Sequence, residues 1–98
     1  MSFHKATFKI RLNKENGYET KEVTGWVDET NIIGYHKAEK KSIWTGSDLV
    51  TGGAIFSAKT RKEVYAYVNQ NRSLIERARK MMIEVLKKDG IGVLIEGG

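Results

Sequence analysis

The chain contains no cysteine and no proline. The first absence excludes disulfides, thiolate metal ligands and a cysteine nucleophile. The second excludes a cis-proline turn and a proline kink. Small secreted domains more often carry disulfides, so a reducing, cytoplasmic setting is expected. Apolar runs extend over only a few residues, far short of the roughly 20 needed to cross a bilayer, and no membrane partner is expected. Met1-Ser2-Phe3-His4-Lys5 has no apolar run behind it, so a signal peptide is not expected either.

Chemistry-bearing residues are also sparse. His4 and His36 lie far apart, and neither has a carboxylate or a second histidine at metal-ligand spacing. There is no Gly-x-Ser-x-Gly elbow, and Gly52-Gly53 lacks the spacing of a phosphate or dinucleotide loop. Asp28-Glu29 falls in a predicted turn, where nothing in the sequence would desolvate a carboxylate. These absences predict a protein that is not an enzyme and needs no metal or cofactor.

What is present fits one domain. The chain has 98 residues, 40% of them apolar, enough for a modest single core. Ala6, Phe8, Ile10 and Leu12 alternate with Thr7, Lys9 and Arg11, the pattern of a half-buried strand. Asn16-Gly17 suits a hairpin turn. A second strand follows over Tyr18–Val27, with Gly25 read as a bulge beside Trp26. Further short strands are predicted at Ile32–His36, Ser42–Thr45 and Ala54–Ala58, joined by tight turns.

The period then changes. Thr60-Arg61-Lys62-Glu63 is a capping box, and Ser73-Leu74-Ile75-Glu76 is a second one. They predict two helices, although the apolar phase also fits one bent helix over residues 61–88. Leu74, Ile75, Ala78, Met81, Met82, Val85 and Leu86 form a stripe expected to pack in the core, Met81-Met82 included. Gly90 suits a C-terminal cap, and Ile91–Ile95 has the composition of a short last strand. The fold class is therefore α+β: an antiparallel meander of four or five strands followed by helices on one sheet face.

Charge is unevenly spread. The net is +5, but residues 1–54 hold eight Lys/Arg against seven Asp/Glu, while residues 55–88 hold nine against three. That asymmetry favours an anionic partner. Lys59, Arg61 and Lys62 surround a helix start, where free amides and the helix dipole favour anions. Arg72, Arg77, Arg79 and Lys80 form a second cluster, and Lys40-Lys41 a third at a predicted hairpin tip. Lys9, Arg11, Lys21 and Lys37 are placed on one solvent face of the sheet. Trp26 and Trp44 are read either as core residues or as exposed anchors for a partner protein.

Trp44, Thr51-Gly52, Ile55-Phe56 and Lys59-Thr60-Arg61-Lys62-Glu63 follow one plan: a tryptophan strand, a Thr-Gly hairpin, a strand, and a helix opening T-[RK]-K-E. This stretch resembles small accessory proteins of phages and mobile elements. It is also similar to the AP2-like, Arm-binding domains of tyrosine recombinases. The second likeness implies a three-stranded sheet that enters the DNA major groove, backed by a helix. It departs at Val64, where those domains usually have alanine, and those sheets are richer in Lys and Arg than Ile43–Ala58. The leading expectation is a phage or prophage accessory protein that binds nucleic acid in the host cytoplasm. The alternatives are a protein-interaction module, such as an inhibitor of a host nuclease or defence complex, and a homo-oligomer joined through a tryptophan or a free strand edge.

Overall fold

The computed structural model describes residues 2–15, 17–38 and 42–94. The alternation of Ala6 to Leu12 becomes β1 (His4–Lys14), which pairs without a break against β2 (Gly17–Val27), from His4 opposite Val27 to Lys14 opposite Gly17. Gly17 makes the return at a φ of 124°, a backbone region that only glycine enters freely. The meander continues through β3 (Ile33–Lys37), β4 (Trp44–Asp48) and β5 (Ala54–Ala58), giving one antiparallel sheet in the order β1-β2-β3-β4-β5. Two helices complete it, α1 (Arg61–Gln70) and α2 (Arg72–Lys88).

The expected bulge at Gly25 is not there, since Gly25 sits in unbroken register opposite Ala6. Its glycine answers a different demand. A Cβ at Gly25 would stand 2.2 Å from the Tyr35 carbonyl oxygen of β3. At this point β2 and β3 are forced together, and they pair only at Trp26–Tyr35 and Val27–Gly34. The irregularity of the sheet lies instead in β4, between Gly46 and Ser47.

Each sheet face has its own core. On one, Ile33 and Tyr35 pack with Val64, Tyr65 and Val68 of α1 and with Ile75 of α2. Gly46 lets α1 approach closely, because a Cβ there would come within 2.7 Å of Val64. On the other face, Phe8, Ile10 and Val27 pack with Leu49. Leu49 belongs to the β4–β5 connection, which turns at Gly52 (φ 80°). The Arg11 amide donates to the Gly52 carbonyl (2.8 Å), so this connection lies against the free edge of β1. The Leu94 amide donates to Val50 (2.8 Å), tying down the end of the described chain. Residues 91–94 form no strand, and Ile95 lies outside the described residues.

α1 opens as its capping box predicts: the Glu63 amide donates to the Thr60 hydroxyl at 3.1 Å. The Glu63 carboxylate accepts from that same hydroxyl rather than from the Thr60 amide. The second box does not form. Ser73 lies inside α2, and the break falls at Asn71. Its amide N–H donates to Val68 (3.2 Å), its side-chain N–H to Tyr67 (2.8 Å), and its carbonyl accepts from Ile75 (2.9 Å). One residue thus ends α1 and begins α2.

The largest departure from expectation is in α2. Its apolar stripe does not enter the core as a whole: Ile75 and Leu86 are buried, whereas Leu74, Met81, Met82 and Val85 are 54%, 67%, 37% and 46% exposed. No helix among the described residues is long and apolar enough to cross a membrane.

Candidate nucleic-acid interface

Residues opposite one another in an antiparallel pair point to the same sheet face. Lys5 opposes Trp26, Trp26 opposes Tyr35, and Lys37 opposes Trp44. Trp26, Trp44, Lys5 and Lys37 therefore share the face on which α1 packs. Arg61, in the first turn of α1, reaches over this group. Its guanidinium carbon lies 4.4 Å from the Phe3 ring centre, 5.2 Å from that of Trp26 and 5.9 Å from that of Trp44. Such cation–π contacts are worth about 0.5–2 kcal/mol each, depending on desolvation. Phe3 is itself wedged edge-on against Tyr35 (5.3 Å) and Tyr65 (5.1 Å). The result is a shallow cleft lined by Phe3, Trp26, Trp44, Arg61, Lys62 and Tyr65. Both tryptophans are partly buried, and Trp44 packs against the core on the α1 side of the sheet.

Arg61 and Lys62 line this cleft, and Lys5 and Lys37 stand opposite its tryptophans. Among the described residues, none of Lys5, Lys37, Lys59, Arg61 and Lys62 forms an ion pair with a carboxylate. Lys59 is exposed just before the cap and does not line the cleft. The second cluster differs. Arg72 lies 3.9 Å from Asp28 and 4.0 Å from Glu29 and donates to the Asn69 side chain (2.7 Å). Arg79 is tied to Asp48, and Lys80 pairs with Glu76 at 3.7 Å. Only Arg77 of that cluster lacks a carboxylate partner among the described residues. Lys40 and Lys41 lie outside the described residues.

The proposed row on the sheet is also divided. Lys9 opposes Glu22 and Lys21 opposes Ile10, which puts Lys21 on the face opposite Lys9. Arg11 bends toward the chain end, and its guanidinium donates to the Gly92 carbonyl (3.2 Å).

Two polar side chains expected at the surface lie in other surroundings. Asp28, read as a solvated turn residue, is fully buried. It accepts from the Tyr35 hydroxyl (2.8 Å) and from the amide (3.0 Å) and hydroxyl of Thr30. Burial, and then the Asp28 carboxylate, hold the Tyr35 phenol well above its usual value. With its oxygens taken by Tyr35 and Thr30, the Asp28 side chain braces β3 and is closed to solvent. His36 lines a gap between β2 and β3. Burial, and secondarily the charge of Lys21, push its imidazole below its usual value. Among the described residues no three His, Asp or Glu side chains come together as a metal site.

Nothing in the sequence connects Arg61 to residues 26 and 44, and Phe3 carries no signal that separates it from any other aromatic near a chain start. The two tryptophans and the basic helix start stand out separately; the β2-β3-β4 pairing brings them together. This arrangement defines an α+β protein with an aromatic, cationic cleft at a helix start. No protein-family model, curated protein or solved structure matches the chain.

Proposed function

We propose that the protein binds single-stranded nucleic acid at the cleft formed by Trp26, Trp44, Phe3 and Arg61. The observation that carries this reading is the placement of the cations that have no carboxylate partner among the described residues. Lys5, Lys37, Arg61 and Lys62 accompany the tryptophans, while Arg72, Arg79 and Lys80 are answered by the protein's own carboxylates. Phosphates would meet the lysines, and bases would stack on the exposed parts of the rings and on the outer face of the Arg61 guanidinium. Stacking of a base on an aromatic side chain contributes about 1–3 kcal/mol and is indifferent to sequence.

A single strand is favoured over a duplex because stacking requires unpaired base faces. The opposite face of the three-stranded β3–β5 unit presents His36, Thr45 and Ser57, and the only Lys or Arg in those strands, Lys37, lies on the tryptophan side. Groove reading by that opposite face would lack the cations that phosphate contacts need. The resemblance of residues 44–63 to AP2-like domains of tyrosine recombinases points in the same general direction, though more to the β-turn-β-helix layout than to DNA contact.

The test is a fluorescence-anisotropy titration with a labelled oligothymidylate and with a duplex of equal length, at low and physiological salt. Tighter binding to the single strand is expected. It should be accompanied by tryptophan quenching and by a log–log salt slope of about −0.7 per phosphate contacted. Arg61→Ala should weaken binding about tenfold, and Lys37→Gln with Lys62→Gln several-fold, in keeping with lost stacking and phosphate contacts worth roughly 1–2 kcal/mol. Binding that is absent at low salt, or indifferent to Arg61→Ala, would falsify the assignment.

A further inference from the structure

The α2 helix carries more apolar surface than its own protein covers. Leu74, Ala78, Met81, Met82 and Val85 fall on one line at i, i+4, i+7, i+8 and i+11, about three turns or ~16 Å of helix. All five are exposed. The core-facing line is a different one, formed by Ile75, Arg79 and Leu86. Along its inner margin the exposed stripe runs into an apolar groove against the edge strand β5, where Ala54, Ile55 and Tyr67 face Leu74, Ala78 and Met82. Contiguous apolar surface of this kind on a small protein marks a contact surface. The two methionines suit it, since an unbranched thioether side chain adapts to the shape laid against it.

Charge at the other margin identifies the occupant. On the helical projection Arg77 and Lys88 flank the stripe on its solvent side, with Glu84 beyond them. Neither cation has a carboxylate partner among the described residues. We propose that this face docks an amphipathic helix of a partner protein, its apolar side on Leu74, Met81 and Val85 and its Asp or Glu residues along the edge that meets Arg77 and Lys88. Helix-in-groove docking of this type is read through anchors at i, i+3 or i+4, and i+7. A second copy fits less well. Two α2 helices packed antiparallel about a two-fold axis keep the same lateral edge together, so Arg77 of one would face Lys88 of the other in a protein already at +5. The surface is separate from the tryptophan cleft, and it stands whether or not the cleft binds nucleic acid.

The experiment is selection from a display library of helix-forming peptides of about five turns, followed by titration of the winners against variants. Enriched peptides should be amphipathic helices with Asp and Glu beside the apolar face. Met81→Glu should weaken them at least about tenfold, as loss of a central apolar anchor does. Reversing Arg77 and Lys88 to Glu should weaken them about two- to fivefold each, the range of exposed charge pairs. Because these side chains are exposed, far-ultraviolet circular dichroism should be unchanged in all three variants, and oligothymidylate titration should be unaffected by Met81→Glu. The proposal is overturned by a selection that enriches nothing, by winners without acidic residues, or by winners that bind Met81→Glu equally well. Light scattering that shows a dimer dissolved by Met81→Glu overturns it in favour of a second copy.

Discussion

The two helices follow one another with a single residue between them, yet they are attached to the sheet by different physics. The ten-residue α1 buries Val64, Tyr65 and Val68 against β3 and β4 and is capped by Thr60. The 17-residue α2 has the more regular apolar stripe, yet buries only Ile75 and Leu86 and starts without a side-chain cap. What α2 has instead is arginine: Arg72 beside Asp28 at its start and Arg79 on Asp48 about two turns later. The contrast teaches that an amphipathic stripe reports an apolar neighbour without saying that the neighbour is in the same chain.

Matched substitutions on the two helices test this contrast. The largest effect is expected within α2 itself. Arg79→Met leaves the nearly buried Asp48 carboxylate without its counter-charge, and should cost about 3 kcal/mol, the lower end for breaking a buried pair. Arg77→Met, two residues earlier and exposed, should change stability by less than about 0.5 kcal/mol. Urea denaturation of both variants makes the comparison. Next in size is the same truncation in each helix. Val68→Ala removes a fully buried side chain of α1 and should cost about 2 kcal/mol, whereas Val85→Ala on the exposed stripe should be within about 0.5 kcal/mol of neutral. Equal losses would mean that α2 is covered after all.

A smaller effect concerns rates of local opening. Amides of Met81 to Leu86 should exchange with deuterium before those of Val64 to Val68, because few buried contacts hold that half of α2. The smallest effect is one of pH. His36 is held below its ordinary pKa of 6.5, so the unfolded chain takes up a proton before the folded one does. Stability should therefore fall as pH drops through about 6.5 and level off once the folded-state value is passed. His36→Gln should flatten that part of the profile in thermal melts, and an unchanged slope would assign it to other groups.

Much of the sheet was legible because its signals are local. The alternation of Ala6, Phe8, Ile10 and Leu12 follows from one face of β1 being buried, and the turn glycines Gly17 and Gly52 from backbone conformations that other residues resist. β2 read weakly because Tyr18 to Glu22 are exposed on both faces of a projecting hairpin, leaving no alternation to see. Gly25 was misread because a bulge and a close approach demand the same residue. Ser73 was misread because a Ser-x-x-Glu sequence also fits the first turn of a helix already begun at Asn71. The site was less legible than the fold. Arg72 and Arg79 looked like free cations, and only the folded chain brings them to Asp28 and Asp48, 44 and 31 positions earlier. Likewise only the pairing of β2, β3 and β4 brings Trp26 and Trp44 together under Arg61.

The aspartate–arginine ties of α2 have a consequence for how this protein can change over generations. In most small proteins a helix is held by its apolar side chains, so altering them threatens the whole fold. Here the apolar stripe from Leu74 to Val85 is largely outside the core, and Asp28 and Asp48 hold the helix from the other side. Substitutions along the stripe are thereby uncoupled from folding. A lineage carrying this scaffold is free to reshape one surface quickly while the sheet beneath it stays the same.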